Sequence, residues 1–368
     1  MDRLKAVSRR QFLTLIGIGG LTVAGIAGYG AWAEGESLDN QPIIRPQRIG
    51  TTFSQLQCKY LNLDAKEAFL AIRGLDFGIA RLCTYWNEIE VEQGKFDFST
   101  MDWLLDASEE VDWHVILAVG MKTPRWPEFH FPDWVTNKFD TNRTDIPLDK
   151  VPGLAEATLN YTARVVEHFR SFSKIKHWQV ENEAFNHAPV AGGRYLSSDF
   201  LQSEIDLVRQ LINPDQKVLF TFGADPPFAL QPAQQMLKPI SPIVDAIGFD
   251  VYTRVPSPVP MFDYIETLPP FWWNLRSWAE YVTKNGKEAW IAESQAEPWE
   301  PNKVVAIEKS VHPSSNPNRA IRLSSRLVSL GFNPISLWGS EFWYWHRKRG
   351  NMEWWDAMEE YIGRRQPN

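Results

Sequence analysis

The sequence predicts an α/β fold of the (β/α)8, or TIM-barrel, class, preceded by an N-terminal export signal or anchor. Eight apolar runs of strand length alternate with eight amphipathic stretches. The runs are apolar almost without interruption, as strands of a parallel sheet covered by helices are. No Gly-x-Gly-x-x-Gly follows the first run, which counts against the alternative, a doubly wound open sheet.

The strands are expected at 48–54, 77–85, 114–120, 177–183, 218–223, 246–252, 289–295 and 334–342. Asp64 stands at an N-cap position ahead of KEAFLAIRGL, and Ser99 has capping-box spacing to Asp102. Met101, Leu104, Leu105 and Val111 of that second helix would face the sheet. Further helices read at 153–173, 197–213, 228–238, 272–285, 317–331 and 353–363. Three long stretches rich in Pro and aromatics, 122–152, 253–271 and 296–313, each follow a strand. In a closed barrel these are loops of the C-terminal face, where active sites are built. No short-period repeat or flexible linker interrupts 45–365.

Ahead of the barrel, Arg3, Lys5, Arg9 and Arg10 precede an uncharged, glycine-containing apolar segment at 13–33, and Ala31-Trp32-Ala33 offers a small-x-small cleavage site. Ser8-Arg9-Arg10-Gln11-Phe12-Leu13 resembles the signal read by the prokaryotic twin-arginine export machinery. The segment, 1–33, would be cleaved or would stay as a membrane anchor, its glycines favouring cleavage. Residues 34–46 would be a short linker and 47–368 the barrel. Either fate places the body outside the cytoplasm, periplasmic or extracellular.

The chain of 368 residues is 44% hydrophobic and 23% charged, which suits a folded globular body. A net charge of −7 without a basic stripe argues against nucleic acid as a partner, His346-Arg347-Lys348-Arg349 reading as a solvated loop. Seven scattered His and only Cys58 and Cys83 suggest no metal site and no cofactor. In an exported chain those two cysteines could form a disulfide or stay as buried thiols. The chain is expected to act as a monomer.

Two carboxylates converge on the expected mouth: Glu183, ending the fourth strand in WQVENEAFN, and Glu293, ending the seventh in WIAESQ. A pair across a cleft is the equipment of glycoside hydrolysis, one carboxyl protonating the leaving oxygen while the other attacks or activates water. The alternative for any single Glu is a solvated strand end. By period-two alternation Glu181 would lie on the side of Glu183, one layer deeper, and would need an arginine or a protonated neighbour.

With these residues in place the chain resembles the clan A glycoside hydrolases, retaining barrel enzymes with an Asn-Glu pair ending strand four and a Glu ending strand seven. The resemblance implies Glu183 as acid/base, Glu293 as nucleophile and Asn182 as donor to the sugar 2-hydroxyl. Arg81 in IARL resembles the strand-two arginine that holds the nucleophile ionised, and Tyr252 in GFDVY the strand-six tyrosine that hydrogen-bonds it. Trp338 in LWG fits a tryptophan under the sugar of the cleavage subsite. The segments YWNEIE, GKFDF and TPRW are also similar to segments following strands two and three in the clan. One departure is Ala184, where many members carry proline. Retention would require the two carboxyls to lie about 5 to 5.5 Å apart, and a negative Glu293 would raise the pKa of Glu183. A β-linked carbohydrate is the implied substrate, an oligosaccharide or polysaccharide, with an exo-acting, β-galactosidase-like action and a non-catalytic sugar-binding barrel as alternatives.

The 17 tryptophans add aromatic faces for stacking on sugars. Trp86, Trp126, Trp134, Trp272, Trp273, Trp299, Trp338, Trp343 and Trp345 fall at or after expected strand ends. Trp103, Trp113, Trp278, Trp354 and Trp355 fall in or beside helices and read as core. Glu88, Glu297, Glu341, Asn186 and His187 are candidates for substrate hydroxyls.

Overall fold

The computed structural model describes residues 42–187, 191–224, 232–257, 262–301 and 312–363. The N-terminal export segment therefore lies outside the described residues. Ten strands occur, β1 (Ile49–Phe53), β2 (Ile79–Cys83), β3 (His114–Val119), β4 (Ile175–Val180), β5 (Lys217–Ala224), β6 (Ala246–Val251), β7 (Arg254–Pro256), β8 (Tyr264–Glu266), β9 (Glu288–Gln295) and β10 (Ile335–Trp338). Eight of them close in the order β1-β10-β9-β6-β5-β4-β3-β2, every pairing parallel. The closed (β/α)8 barrel is thus the architecture. The sequence reading lacked the short antiparallel ribbon of β7 and β8, which arises in the loop after β6.

Parallel strands buried on both faces are mostly apolar, and β1, β2 and β6 are buried at every position. Ile79, Ile116, Leu219, Ala246 and Trp290, from five strands, form one cluster of the barrel core.

The helices are α1 (Gln55–Tyr60), α2 (Ala65–Arg73), α3 (Trp86–Ile89), α4 (Ser99–Glu109), α5 (Asp133–Lys138), α6 (Leu154–Phe169), α7 (Ser198–Leu211), α8 (Ala233–Leu237), α9 (Pro269–Lys284), α10 (Pro317–Ser329), α11 (Ser340–Lys348) and α12 (Glu353–Gly363). Asp64 caps α2 as its position suggests, accepting the amide of Glu67 at 2.7 Å. Ser99 instead lies inside α4, whose N-cap Phe98 makes no side-chain cap bond, and Asp97 accepts the Ser99 amide at 2.9 Å, so the expected capping box does not form. The 228–238 helix shortens to α8, residues 228–231 lying outside the described set.

Two strand ends depart from expectation. β10 stops at Trp338 because Gly339 takes φ +123°, and the aromatic run after it forms α11. β4 stops at Val180, and Glu181 and Glu183 adopt left-handed φ of 58° and 44°. Cys58 and Cys83 are both free and buried, so they form no disulfide.

Candidate active site

Left-handed backbone is costly for residues with a side chain, and it persists where surrounding structure enforces it. Among the described residues five non-glycine positions have positive φ, and four of them, Arg125, Glu128, Glu181 and Glu183, lie in the loops after β3 and β4. The turn after β4 is pinned on both sides. Glu181 N–H donates to the Val119 carbonyl at 2.9 Å and Asn182 N–H to the Lys122 carbonyl at 2.7 Å. On the other flank Glu183 N–H donates to Thr221 Oγ1 at 3.2 Å.

Glu293 arrives on β9 with 5% of its surface exposed. Arg81, fully buried on β2, donates to its Oε1 at 2.5 Å, and the Tyr252 hydroxyl donates to Oε2 at 2.7 Å. Arg81 is itself fixed by Thr52 Oγ1 at 2.8 Å and Gln179 Oε1 at 3.1 Å. Gln179 carries the network onward, its amide donating to Asn182 Oδ1 at 3.1 Å. A buried glutamine thus ties the arginine of one carboxylate to the asparagine beside the other.

Glu183 is half-buried, and Asn186 Nδ2 donates to its Oε2 at 2.8 Å. Its carboxyl is raised from the ordinary 4.5 to about 7, first by burial, then by the negative Glu128 and in smaller part by Glu293, with Lys122 opposing. The sequence argument credited Glu293 with this shift; desolvation comes first in the folded chain. Lys122 is completely buried, pairs with Glu128 at 3.0 Å and donates to the Glu183 carbonyl at 2.9 Å. Asn182 Nδ2 also reaches Glu128, at 3.4 Å. Neither Lys122 nor Glu128 stood out in the sequence, where they are two charges in a polar loop.

Glu181 is fully buried, but not by strand alternation, since the strand has already ended. Its oxygens accept the amides of Met121 at 2.9 Å and Lys122 at 2.7 Å. Its carboxylic neighbour is Glu204 of α7, whose carboxyl is pushed well above the usual range by burial and then by the negative Glu181.

The remaining candidates separate. Trp299 is half-buried and packs edge-on against Tyr252 at 5.4 Å between ring centres, beside Glu293. Trp126 is 44% exposed. Trp338 retains 6% exposure, donates to Glu297 Oε1 at 2.9 Å, and has the Arg125 guanidinium 4.1 Å from its ring centre, which covers that area against a sugar. Arg125 in turn pairs with Glu297 at 2.8 Å. Trp86 is a correction: it is 1% exposed, stacked on Tyr161 and hydrogen-bonded to Glu90, so no face is left for substrate. Glu341 is a second correction, because it is fully buried beneath Ser54 and Ser340 and no substrate hydroxyl can reach it. Trp343 and Trp345 are buried in α11, and Trp272 and Trp273 lie on α9 rather than in a loop. Glu88 binds Lys59 and Gln55. A cavity of about 440 Å³ lies at the opposite end of the barrel, among Arg48, His114, His177, Lys217 and Glu288, away from these carboxyls. Among the described residues no His, Cys, Asp or Glu cluster could hold a metal ion.

The family described as β-galactosidase, glycoside hydrolase 42, matches residues 66–198. No curated protein matches. Among solved structures, a β-galactosidase from the Antarctic haloarchaeon Halorubrum lacusprofundi has a TM-score of 0.53 at 16% identity, over 79% of this chain and 52% of its own. Xylanase 10B from Thermotoga maritima has a TM-score of 0.50 at 18% identity, over 79% and 82%. An exo-β-1,4-mannosidase from Opitutaceae bacterium strain TAV5 has a TM-score of 0.54 at 16% identity, over 79% and 51%. The chain spans about half the length of the β-galactosidase and the mannosidase. These likenesses show the barrel fold, and residues 66–198 match the family model described as β-galactosidase.

Proposed function

We propose that the chain is a retaining β-glycosidase in which Glu293 attacks the anomeric carbon and Glu183 acts first as acid and then as base. The observation that carries this reading is the grip on Glu293: Arg81 and Tyr252 each donate to one carboxylate oxygen, which aims the group and leaves lone pairs for attack. In the first step Glu293 forms a bond to the anomeric carbon while Glu183 gives its proton to the departing glycosidic oxygen. In the second, Glu183 takes a proton from water, the water oxygen attacks, and Glu293 is released with the anomeric configuration retained. A carboxyl near 7 suits both duties around neutrality. Asn182 is read as the donor to the sugar 2-hydroxyl, and Trp299 and Trp126 as the aromatic faces nearest the substrate.

The β-galactosidase description of the matched family puts a β-galactoside first among substrates. β-Linked xylosyl and mannosyl chains follow, from the names of the structural neighbours. The twin-arginine segment supports action outside the cytoplasm, which cell fractionation of the full chain tests.

Aryl β-glycosides, galactoside first, test the chemistry with Glu293→Ala and added azide. The expected product is the α-glycosyl azide, whereas Glu183→Ala with azide should give the β-anomer. Undiminished hydrolysis by the Glu293 variant would overturn the assignment. Sugar binding by wild type without turnover of any β-glycoside would favour a non-catalytic barrel.

A further inference from the structure

One buried acid has no part in the scheme above. Asp250, on β6, is completely buried, and neither of its carboxyl oxygens has an N–H or O–H partner among the described residues. Its surroundings are the reaction centre. Across β6 and β9 it pairs in register with Glu293, and across β5 and β6 with Gly223. Gly223 has no side chain, and the Glu183 carboxyl occupies that space: a Cβ there would meet Glu183 Oε1 at 2.8 Å. Asp250 thus stands beside both proposed catalytic carboxyls, with Glu293 and Glu183 the negative groups that act on it most.

Two carboxyls can hydrogen-bond only if one keeps a proton. The charges facing this cluster are Glu183 from the end of β4, Glu293 from β9, Arg81 from β2 and the hydroxyl of Tyr252 from β6 itself, with Lys122 and Glu128 beyond Glu183. Arg81 is the cation nearest Asp250, and it is committed to Glu293, Gln179 and Thr52. A third negative charge here would lie buried beside two others with no donor of its own.

We propose that Asp250 is an undissociated acid that donates its O–H to Glu183, making it a positioning residue for the acid/base group. This rests on the reading of Glu183 as acid/base. The donated bond holds the Glu183 carboxyl over Gly223 together with Asn186. It also stabilises the Glu183 carboxylate after its proton has left with the aglycone, when it must receive a proton from water. Burial and the neighbouring negative groups push the Asp250 carboxyl well above its usual range, in agreement with the geometry.

The test pairs a spectrum with a pH profile. In the wild-type protein at pH 8, infrared difference spectroscopy against Asp250→Asn should show the C=O band of one protonated carboxylic acid, missing in the variant; absence of that band would overturn the proposal. On a turned-over aryl β-glycoside, Asp250→Asn keeps an N–H donor and should leave the basic limb of kcat/KM within about 0.5 pH unit. Asp250→Ala removes the donor and should move that limb upward. If Asp250 were ionised, Asp250→Asn would delete a like charge and move the limb down by about one unit or more, which also overturns the proposal. Should Asp250→Ala fail to fold, the Asn variant and the spectrum decide. The spectrum needs no turnover, so failure of the glycosidase reading leaves this assignment separately tested.

Discussion

At the scale of single residues the site runs on unequal carboxyls. Glu293 has donors on both oxygens, whereas Glu183 has one amide and a surrounding that raises it to about 7. In the proposed mechanism the first step needs Glu183 protonated, so kcat/KM on an aryl β-glycoside should fall as pH rises through about 7. A basic limb near the ordinary carboxyl range would contradict this. Tyr252→Phe removes one of the two donors on Glu293 and should lower kcat by about 10²-fold, the usual effect of deleting a single aimed donor. Glu183 and Glu293 were singled out in the sequence as carboxylates at expected strand ends, and Arg81 and Tyr252 through the family resemblance. Asp250 was equally visible, two residues before Tyr252 and so on the same face by alternation. An acid in an otherwise apolar strand was the signal that could have found it. Lys122 and Glu128 gave no such signal, since only the folded loop buries them.

At the scale of elements, the end of β4 is shaped by its neighbours. β3 is followed by Gly120, where a Cβ would meet the Glu181 carboxyl at 2.5 Å, and β5 carries Gly223, where it would meet Glu183 and Asn186 at 2.8 Å. Both glycines make room for a carboxyl. Gly223→Ala should therefore displace Glu183 and lower kcat by at least about tenfold, at a stability cost within the roughly 1–3 kcal/mol typical of overpacking. Unchanged turnover would show that Glu183 does not need this space. Strand ends were the least legible elements. The run after Gly339 is as apolar as a strand, yet it forms α11, because apolarity marks burial and not backbone type.

For the whole molecule the unusual feature is the number of buried acids. Glu181, Glu183 and Glu341 are raised to about 7 chiefly by burial, and Glu204 and Asp250 are also pushed well above their ordinary ranges by burial. A carboxyl held above its unfolded value binds its proton more tightly in the folded chain. Its stabilising contribution is full at low pH and is lost as pH rises through the folded value, at up to about 1.4 kcal/mol per pH unit for each group. His130 and His346, pushed down to about 4 by burial, act in the other direction, but only below their unfolded value of 6.5. The raised carboxyls outnumber these histidines, so the melting temperature should fall between about pH 5 and pH 7, and Glu341→Gln should shallow that slope. A flat profile would mean that these acids are ionised in the folded chain. In the barrel core, Ile116→Ala should cost about 2–5 kcal/mol, read as a lower denaturant midpoint.

By itself the sequence determined the closed eight-strand barrel and the strand ends from which the principal carboxyls project. Apolar periodicity and chain order are local properties, and a parallel sheet of this length has few ways to bury itself. Tertiary structure alone decided which of those side chains meet. It sealed Trp86 and Glu341 away, laid Arg125 over Trp338, and gathered Asp250, Lys122 and Glu128 around Glu183. Those outcomes depend on burial and on contacts between residues far apart in the chain, and desolvation, the largest influence on Glu183, does not exist until the barrel has closed.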